Sequence, residues 1–326
     1  HMHIEGSLEP ELTFQLAARH GITLPYASVE ALREAMDFED LQSFLDLYYA
    51  CADVLRTEDD FFELGWTYFQ RAAADGIVHA EIFFDPQTHT VRGVPMGAVI
   101  LGLHRASEQA RRQLGLTSGL ILCFLRHLSE AEALQTLEAA LPYREYFIGV
   151  GLDSSERDHP PAKFERVFAW ARTLGLRVVA HAGEEGPAAY VEQALDLLQA
   201  ERIDHGVRSI DDPALMQRLA AEAVPLTVCP LSNLKLCVVP SLAEHPLPAM
   251  LAAGLCVTIN SDDPAYFGGY LGRNFEALFA AQPQWGAAEA YALLRNSLQA
   301  SFVEPEQKAV WMAALDARFV AAMTRR

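Results

Sequence analysis

His1 and His3 stand two residues apart in the opening stretch His1-Met2-His3-Ile4. On an extended strand, residues i and i+2 point to the same face, so both imidazoles can reach one ion. Later in the chain His181 and His205 each end a short apolar run, and Asp262-Asp263 follows another. A third imidazole from His181 and a carboxylate from Asp262 would give a nitrogen-rich set with one anionic oxygen. That set suits Zn2+ best, one ion per chain, with Fe2+ or Mn2+ as substitutes. Its chemistry is hydrolysis, because such an ion makes water a nucleophile near neutral pH. His-x-His by itself is a weak signal. It becomes a strong one when the fold carries the distant His and Asp residues to the same place.

The elements between these residues are of the right kind to do so. Strand-like runs cover 77–84, 118–124, 147–152, 176–181, Arg202–His205, 226–229 and 255–260. Amphipathic stretches of helical period separate them, among them 97–114, 130–141, 161–174, 188–200, 213–223 and 247–253, and Gly115, Gly175 and Gly254 follow as helix stops. Alternating strands and helices imply a parallel sheet. Counting 1–4 as the end of a further strand gives eight units, which favours an α/β fold of the (β/α)8 TIM-barrel type over an open doubly wound sheet. The C-terminal strand ends of such a barrel converge on one mouth, and His1, His3, His181, His205 and Asp262 all fall there. Additional helical regions lie outside the repeat at 30–56 and 275–323. With no linker or low-complexity tract, residues 1–326 read as a single domain.

Composition narrows the partners. Of 326 residues 51% are hydrophobic, ample for a packed core, which rules out a disordered chain. Asp and Glu outnumber Lys and Arg by 43 to 25, for a formal charge of −18. Such a surface repels phosphates, and no Lys/Arg-rich run offers an exception, so the expectation is a small-molecule substrate and no nucleic acid. Cys51, Cys123, Cys229, Cys237 and Cys256 form no C-x-x-C pair and read mostly as buried thiols, not a disulfide framework or a cysteine zinc site. No apolar run reaches the ~20 residues of a membrane span and no secretory signal opens the sequence, so the expected setting is cytoplasmic, with no membrane partner. The sequence assigns no oligomeric state.

The joint pattern resembles a known family. His1-Met2-His3-Ile4-Glu5-Gly6-Ser7, His181-Ala182-Gly183-Glu184, Asp204-His205-Gly206, Cys229-Pro230-Leu231-Ser232-Asn233 and Ser261-Asp262-Asp263 are similar, in order and from residue 1 to about 275, to the adenosine/adenine deaminase family. The resemblance implies a metal-dependent barrel that hydrolyses the 6-amino group of a purine. It implies His1, His3, His181 and Asp262 as metal ligands and His205 as the group that orients and deprotonates water. Glu184 would be the acid that protonates N1 of the ring, and Asp263 the carboxyl group that contacts N7. Chemistry supports the Glu184 role independently, since attack at C6 needs N1 to accept a proton from a poised carboxyl group. His-Met is also a remnant of tag removal, but the motif needs a histidine at His1. A chain that opens inside a strand end also implies further residues upstream.

The substrate is read from departures within the motifs. Glu5 stands where adenosine deaminases usually carry Asp, and Leu152-Asp153-Ser154-Ser155-Glu156 replaces a motif resembling Leu-Ala-Gly-Asp-Glu. Ser154 thus takes the place of a glycine near the sugar side of the base. This version resembles the adenine deaminase branch, and the bulkier, more polar groups would disfavour a ribose. Adenine, converted to hypoxanthine and ammonia, is therefore expected. The alternatives are adenosine deamination, or a catalytically inactive purine-binding protein on the same scaffold, the latter disfavoured because every position of the metal and acid–base set is filled.

Other signals have plain readings. Asp263 could instead cap a helix before Pro264. His79-Ala80-Glu81 matches half of the cytidine deaminase signature, but the second half is absent and the run reads as a buried strand. His20, His89, His104, His127, His159 and His245 lack partners at ligand spacing and are expected mostly on the surface or in loops.

Overall fold

The computed structural model describes residues 1–324. The near-continuous apolar runs become a parallel sheet buried on both faces, as such composition requires. Its strands are β1 (His79–Phe84), β2 (Thr117–Leu125), β3 (Gly149–Asp153), β4 (Arg177–Ala182), β5 (Arg202–His205), β6 (Pro225–Val228) and β7 (Cys256–Ile259), each beside the next in sequence order. All seven expected strands form, with ends shifted by a residue or two.

The opening residues close this sheet into a ring. His3 N donates to Asp262 O (3.0 Å), Ile4 N donates to Phe83 O (2.9 Å), and Phe83 N donates to Met2 O (2.9 Å). Residues 1–4 thus lie between β1 and the residues just after β7 as the eighth stave, although their pairing is only of bridge length. Inside the ring Phe83, Ile121, Cys123 and Val179 form a small apolar plug. Outside it one larger apolar cluster runs from Met2 to Leu293 between sheet and helices.

The non-site end of the barrel carries a buried ion pair. Glu81 accepts from the Arg202 guanidinium and from Phe302 N, and the guanidinium lies 4.4 Å over the Phe302 ring. Burial works to raise the Glu81 carboxyl, but Arg202 and His79 hold it at about 2. His79-Ala80-Glu81 is therefore part of a strand, as expected.

Helical regions differ in detail from the sequence reading. The 30–56 region breaks into Val29–Glu34 and Leu41–Ala52, and the C-terminal region into Leu271–Ala281, Ala287–Ala300 and Pro305–Thr324. Pro10–His20 and Glu58–Ala74 are further helices that the sequence reading passed over. Gly115, Gly175 and Gly254 all take positive φ, as helix stops do. Among the described residues no helix is long and apolar enough to cross a membrane.

Candidate active site

The strand ends deliver the expected residues to one point. Nε2 of His1 lies 3.0 Å from Oδ1 of Asp262, and Nε2 of His3 lies 3.1 Å from Nε2 of His181 and 3.4 Å from the same carboxylate oxygen. One ligand atom from each of His1, His3, His181 and Asp262 falls within 4.8 Å of the others. Ligands about 2.1 Å from a tetrahedral ion stand ~3.4 Å apart, so the set fits a single divalent cation. Electrostatics agree. Burial opposes a proton on His3, yet Asp263, Asp153 and Asp262 raise its pKa well above the ordinary value, so these carboxylates draw positive charge to this spot.

The far nitrogen of each histidine faces an oxygen. Nδ1 of His1 is 2.8 Å from Oγ1 of Thr227, Nδ1 of His181 is 3.3 Å from Asp204, and Nδ1 of His3 is 3.4 Å from Asp153. Thr227 in turn donates to Asp204 (2.9 Å). Such partners fix ring orientation and leave Nε2 with its lone pair toward an ion.

His205 and Glu184, the expected acid–base residues, lie beside this set. Nε2 of His205 lies 3.5 Å from Glu184 and 3.6 Å from Asp262, and its Nδ1 is buried without a partner. Burial lowers the imidazole to about 3, so the ring is neutral in this pocket. Burial also raises the Glu184 carboxyl well above its ordinary value, helped by Asp262 and Glu156, which favours its protonated form in the metal-free chain. Asp263 is raised in the same sense, again first by burial. Its carbonyl, not its carboxyl, accepts from Tyr266 N and Phe267 N in the turn that follows, which removes the capping reading. Three of the positive-φ non-glycine residues fall here: Ser154, His205 and Asp262 hold φ of 74°, 65° and 58°, where non-glycine residues are costly.

The loop carrying Glu184 is held from below by one carboxylate. Glu156 accepts from Gly183 N at 2.7 Å through Oε1, and from Glu184 N, Glu185 N and Gly186 N at 3.0, 2.8 and 2.8 Å through Oε2. A Cβ at Gly186 would come within 2.7 Å of that carboxyl group, so only glycine permits the approach. These groups open onto a pocket lined by His3, His181, Glu184, His205, Asp262 and Asp263. The helix Leu41–Ala52 roofs it with Phe44, Leu45, Tyr48 and Tyr49, so the first additional helical region is the cover of the pocket.

Comparison with known proteins decides the relationship. A profile of the adenosine deaminase family matches residues 1–317. The chain belongs to that family. Within it, the chain is 63% identical over 319 residues to the adenine deaminase of Geotalea uraniireducens, covering 98% of this chain and 90% of that protein. The crystal structure of an adenine deaminase from Arthrobacter aurescens superposes with a TM-score of 0.96 at 51% identity, over 97% of both chains. An amidohydrolase from Burkholderia ambifaria, solved with bound Zn, superposes at 0.91 with 28% identity, over all of this chain and 90% of that one. The (β/α)8 barrel is thus the adenosine deaminase fold.

Several residues of this adenosine deaminase family site escaped the sequence reading. His89 is fully buried in a short helix with Nε2 2.8 Å from Glu5, and His245 lies in a loop, as expected, but is buried with Nε2 3.1 Å from Asn233. His20 reaches Asp60 at 2.7 Å, while His127 is exposed in a turn, as expected, and reaches Ser154 at 2.8 Å. Glu5 also accepts from Asp85 N (3.0 Å), and Asp85 and Asp153 are two buried carboxyl groups beside His3. The thiols behave as expected: all five are free and Cys237 alone is exposed, while Cys229 lies close to His205 and Asp262.

Proposed function

We propose that this chain hydrolyses adenine to hypoxanthine and ammonia at the barrel mouth, with one Zn2+ held by His1, His3, His181 and Asp262. The observation that carries the reading is geometric: two buried carboxyl groups, Glu184 and Asp263, line the same pocket as that ligand set. Adenine presents two acceptor nitrogens, N1 and N7, on either side of C6, and two donors suit that edge. The adenine deaminase names of the relatives support the same substrate.

The residues divide the work as follows. The bound cation would supply Lewis acidity, making water a nucleophile near neutral pH. Neutral His205 orients that water and takes its proton. Glu184 gives its proton to N1 as oxygen adds at C6, and Asp263 donates to N7 and fixes the ring plane. The proton held by His205 then passes to the 6-amino group, which leaves as ammonia, while the C6 hydroxyl returns its proton to Glu184 and its oxygen remains as the carbonyl of hypoxanthine. Apolar cover from Phe44, Leu45 and Phe267 excludes bulk water and strengthens each of these interactions.

Zn2+ is favoured over Fe2+ or Mn2+ by three imidazoles and one carboxylate, and the zinc in the B. ambifaria amidohydrolase points the same way. We read residues 1–326 as one domain on the strength of the continuous apolar cluster, and the free thiols suit a reducing cytoplasm. The test is product stoichiometry with zinc-loaded protein. Adenine should yield hypoxanthine and ammonia one to one, and Glu184→Gln should abolish both while retaining zinc. Zinc-loaded protein inert toward adenine contradicts the reading.

A further inference from the structure

Resting on the metal set of the proposed function, the structure shows what lies on the side of that set turned away from the pocket. Side chains alternate between the two faces along β1. Ile82 and Phe84 join the apolar cluster outside the ring, while Phe83 belongs to the plug inside it and is fully buried. Two residues before it, Glu81 holds Arg202 at the non-site end of the barrel. Two residues after it, Asp85 borders the pocket, which Phe83 itself does not. An apolar ring thus stands between the buried ion pair and the mouth.

That ring lies against three of the four expected ligands at once. Its centroid is 5.0 Å from that of His1, 4.9 Å from that of His3 and 5.5 Å from that of His181, at interplanar angles of 63°, 57° and 59°. Tilted aromatic rings attract at these separations. The contacts supply what the far nitrogens leave open. A partner at Nδ1 fixes one ring atom and not the ring plane, and the Nδ1 contacts of His3 and His181 are long, at 3.4 and 3.3 Å. Phe83 is itself held firmly. Its N–H donates to Met2 O, its carbonyl accepts from Ile4 N, and Ile121, Cys123 and Val179 pack around its side chain.

We infer that Phe83 is a positioning residue of the metal centre: it sets the planes of the His1, His3 and His181 rings and closes the ligand set on the side away from the pocket. A cation held by the set then keeps its open position toward the pocket, where His205 and Glu184 stand. Removing the ring frees the three imidazoles to tilt. It also leaves a space that water can enter, because the cation gives that water the polar partner an apolar cavity lacks.

The test measures zinc affinity by chelator competition, and the visible absorption of the cobalt-loaded protein, in the wild type, Phe83→Leu, Phe83→Ala and Phe302→Leu. Phe302 packs on the same apolar plug from the non-site end, so its variant controls for a loosened core. Cobalt reports its ligand number, absorbing strongly with four or five ligands and weakly with six. Phe83→Ala should weaken zinc binding by about 10–100-fold and dim the cobalt bands, and Phe83→Leu should do the same by at least about fivefold. Phe302→Leu should lose melting temperature with zinc affinity within about twofold of wild type. If Phe83→Ala does not fold, Phe83→Leu decides the comparison. Wild-type zinc affinity and cobalt bands in the Phe83 variants overturn the inference, however far their melting temperatures fall. Equal weakening in Phe302→Leu overturns it too, because a loosened core then accounts for the loss. A wild type that binds no zinc overturns the metal set itself along with the inference.

Discussion

Replacing Glu156 by Gln perturbs the catalytic loop without touching the substrate or the metal set. The carboxylate accepts one backbone N–H at Oε1 and three at Oε2. A glutamine can offer only one carbonyl oxygen. Its best orientation keeps that oxygen on the three-donor side and turns the amide NH2 toward Gly183 N–H, donor against donor. One charge-assisted bond is lost, worth about 1.5–3 kcal/mol, and the other three weaken as the charge disappears. A total of about 3 kcal/mol is expected. If it appears as misplacement of Glu184, kcat/KM for adenine falls about 100-fold at 1.4 kcal/mol per decade. The assay is ammonia release from zinc-loaded protein, with zinc content and thermal unfolding measured alongside. Zinc should stay bound and the melting temperature should drop by roughly 4–8 °C. A kcat/KM within about threefold of wild type contradicts the positioning role, even if the melting temperature falls.

Further outcomes follow from other contacts. Because burial raises the Glu184 pKa in the metal-free chain, its stabilising protonated form is fully present below the ordinary carboxyl range near ~4.3 and is lost as pH rises through the raised value. Metal-free Glu184→Gln should therefore gain melting temperature over wild type as pH goes from 5 to 8, and an unchanged difference would refute that sign. Asp204→Asn, which alters the oxygen facing Nδ1 of His181, should weaken zinc affinity by about 10–100-fold in a chelator competition. Gly6→Ala would set a Cβ 2.0 Å from Oδ1 of Asp263 and must push that carboxyl aside. KM for adenine should rise at least about tenfold with zinc content unchanged, and a normal KM would show that Asp263 does not hold the base.

The barrel and the clustering of His1, His3, His181 and Asp262 were legible because both follow from period and position. Apolar runs separated by helical stretches predict the staves, and the strand ends then place His1, His3, His181 and Asp262 together. Glu58–Ala74 was legible too but passed over: Thr57 caps it, and Phe61, Leu64, Tyr68, Phe69 and Ala72 recur at helical spacing on its buried face. Glu156 and Asp204 have no such signature. Their partners are the backbone of a loop 27–30 residues ahead and a histidine on the preceding strand, contacts that no sequence period encodes. His89 was misread for the same reason, because its partner Glu5 lies 84 residues away. The role of the Leu41–Ala52 helix as the roof of the pocket depends on where it docks, and its amphipathic pattern states only that it has a face to bury.

Parallel steady-state ammonia release from adenine and adenosine by zinc-loaded protein tests the proposed substrate most directly. The expected result is a kcat/KM for adenine at least about tenfold above that for adenosine. Equal or better turnover of adenosine would contradict adenine as the substrate while leaving the ligand set and the acid–base pair in place.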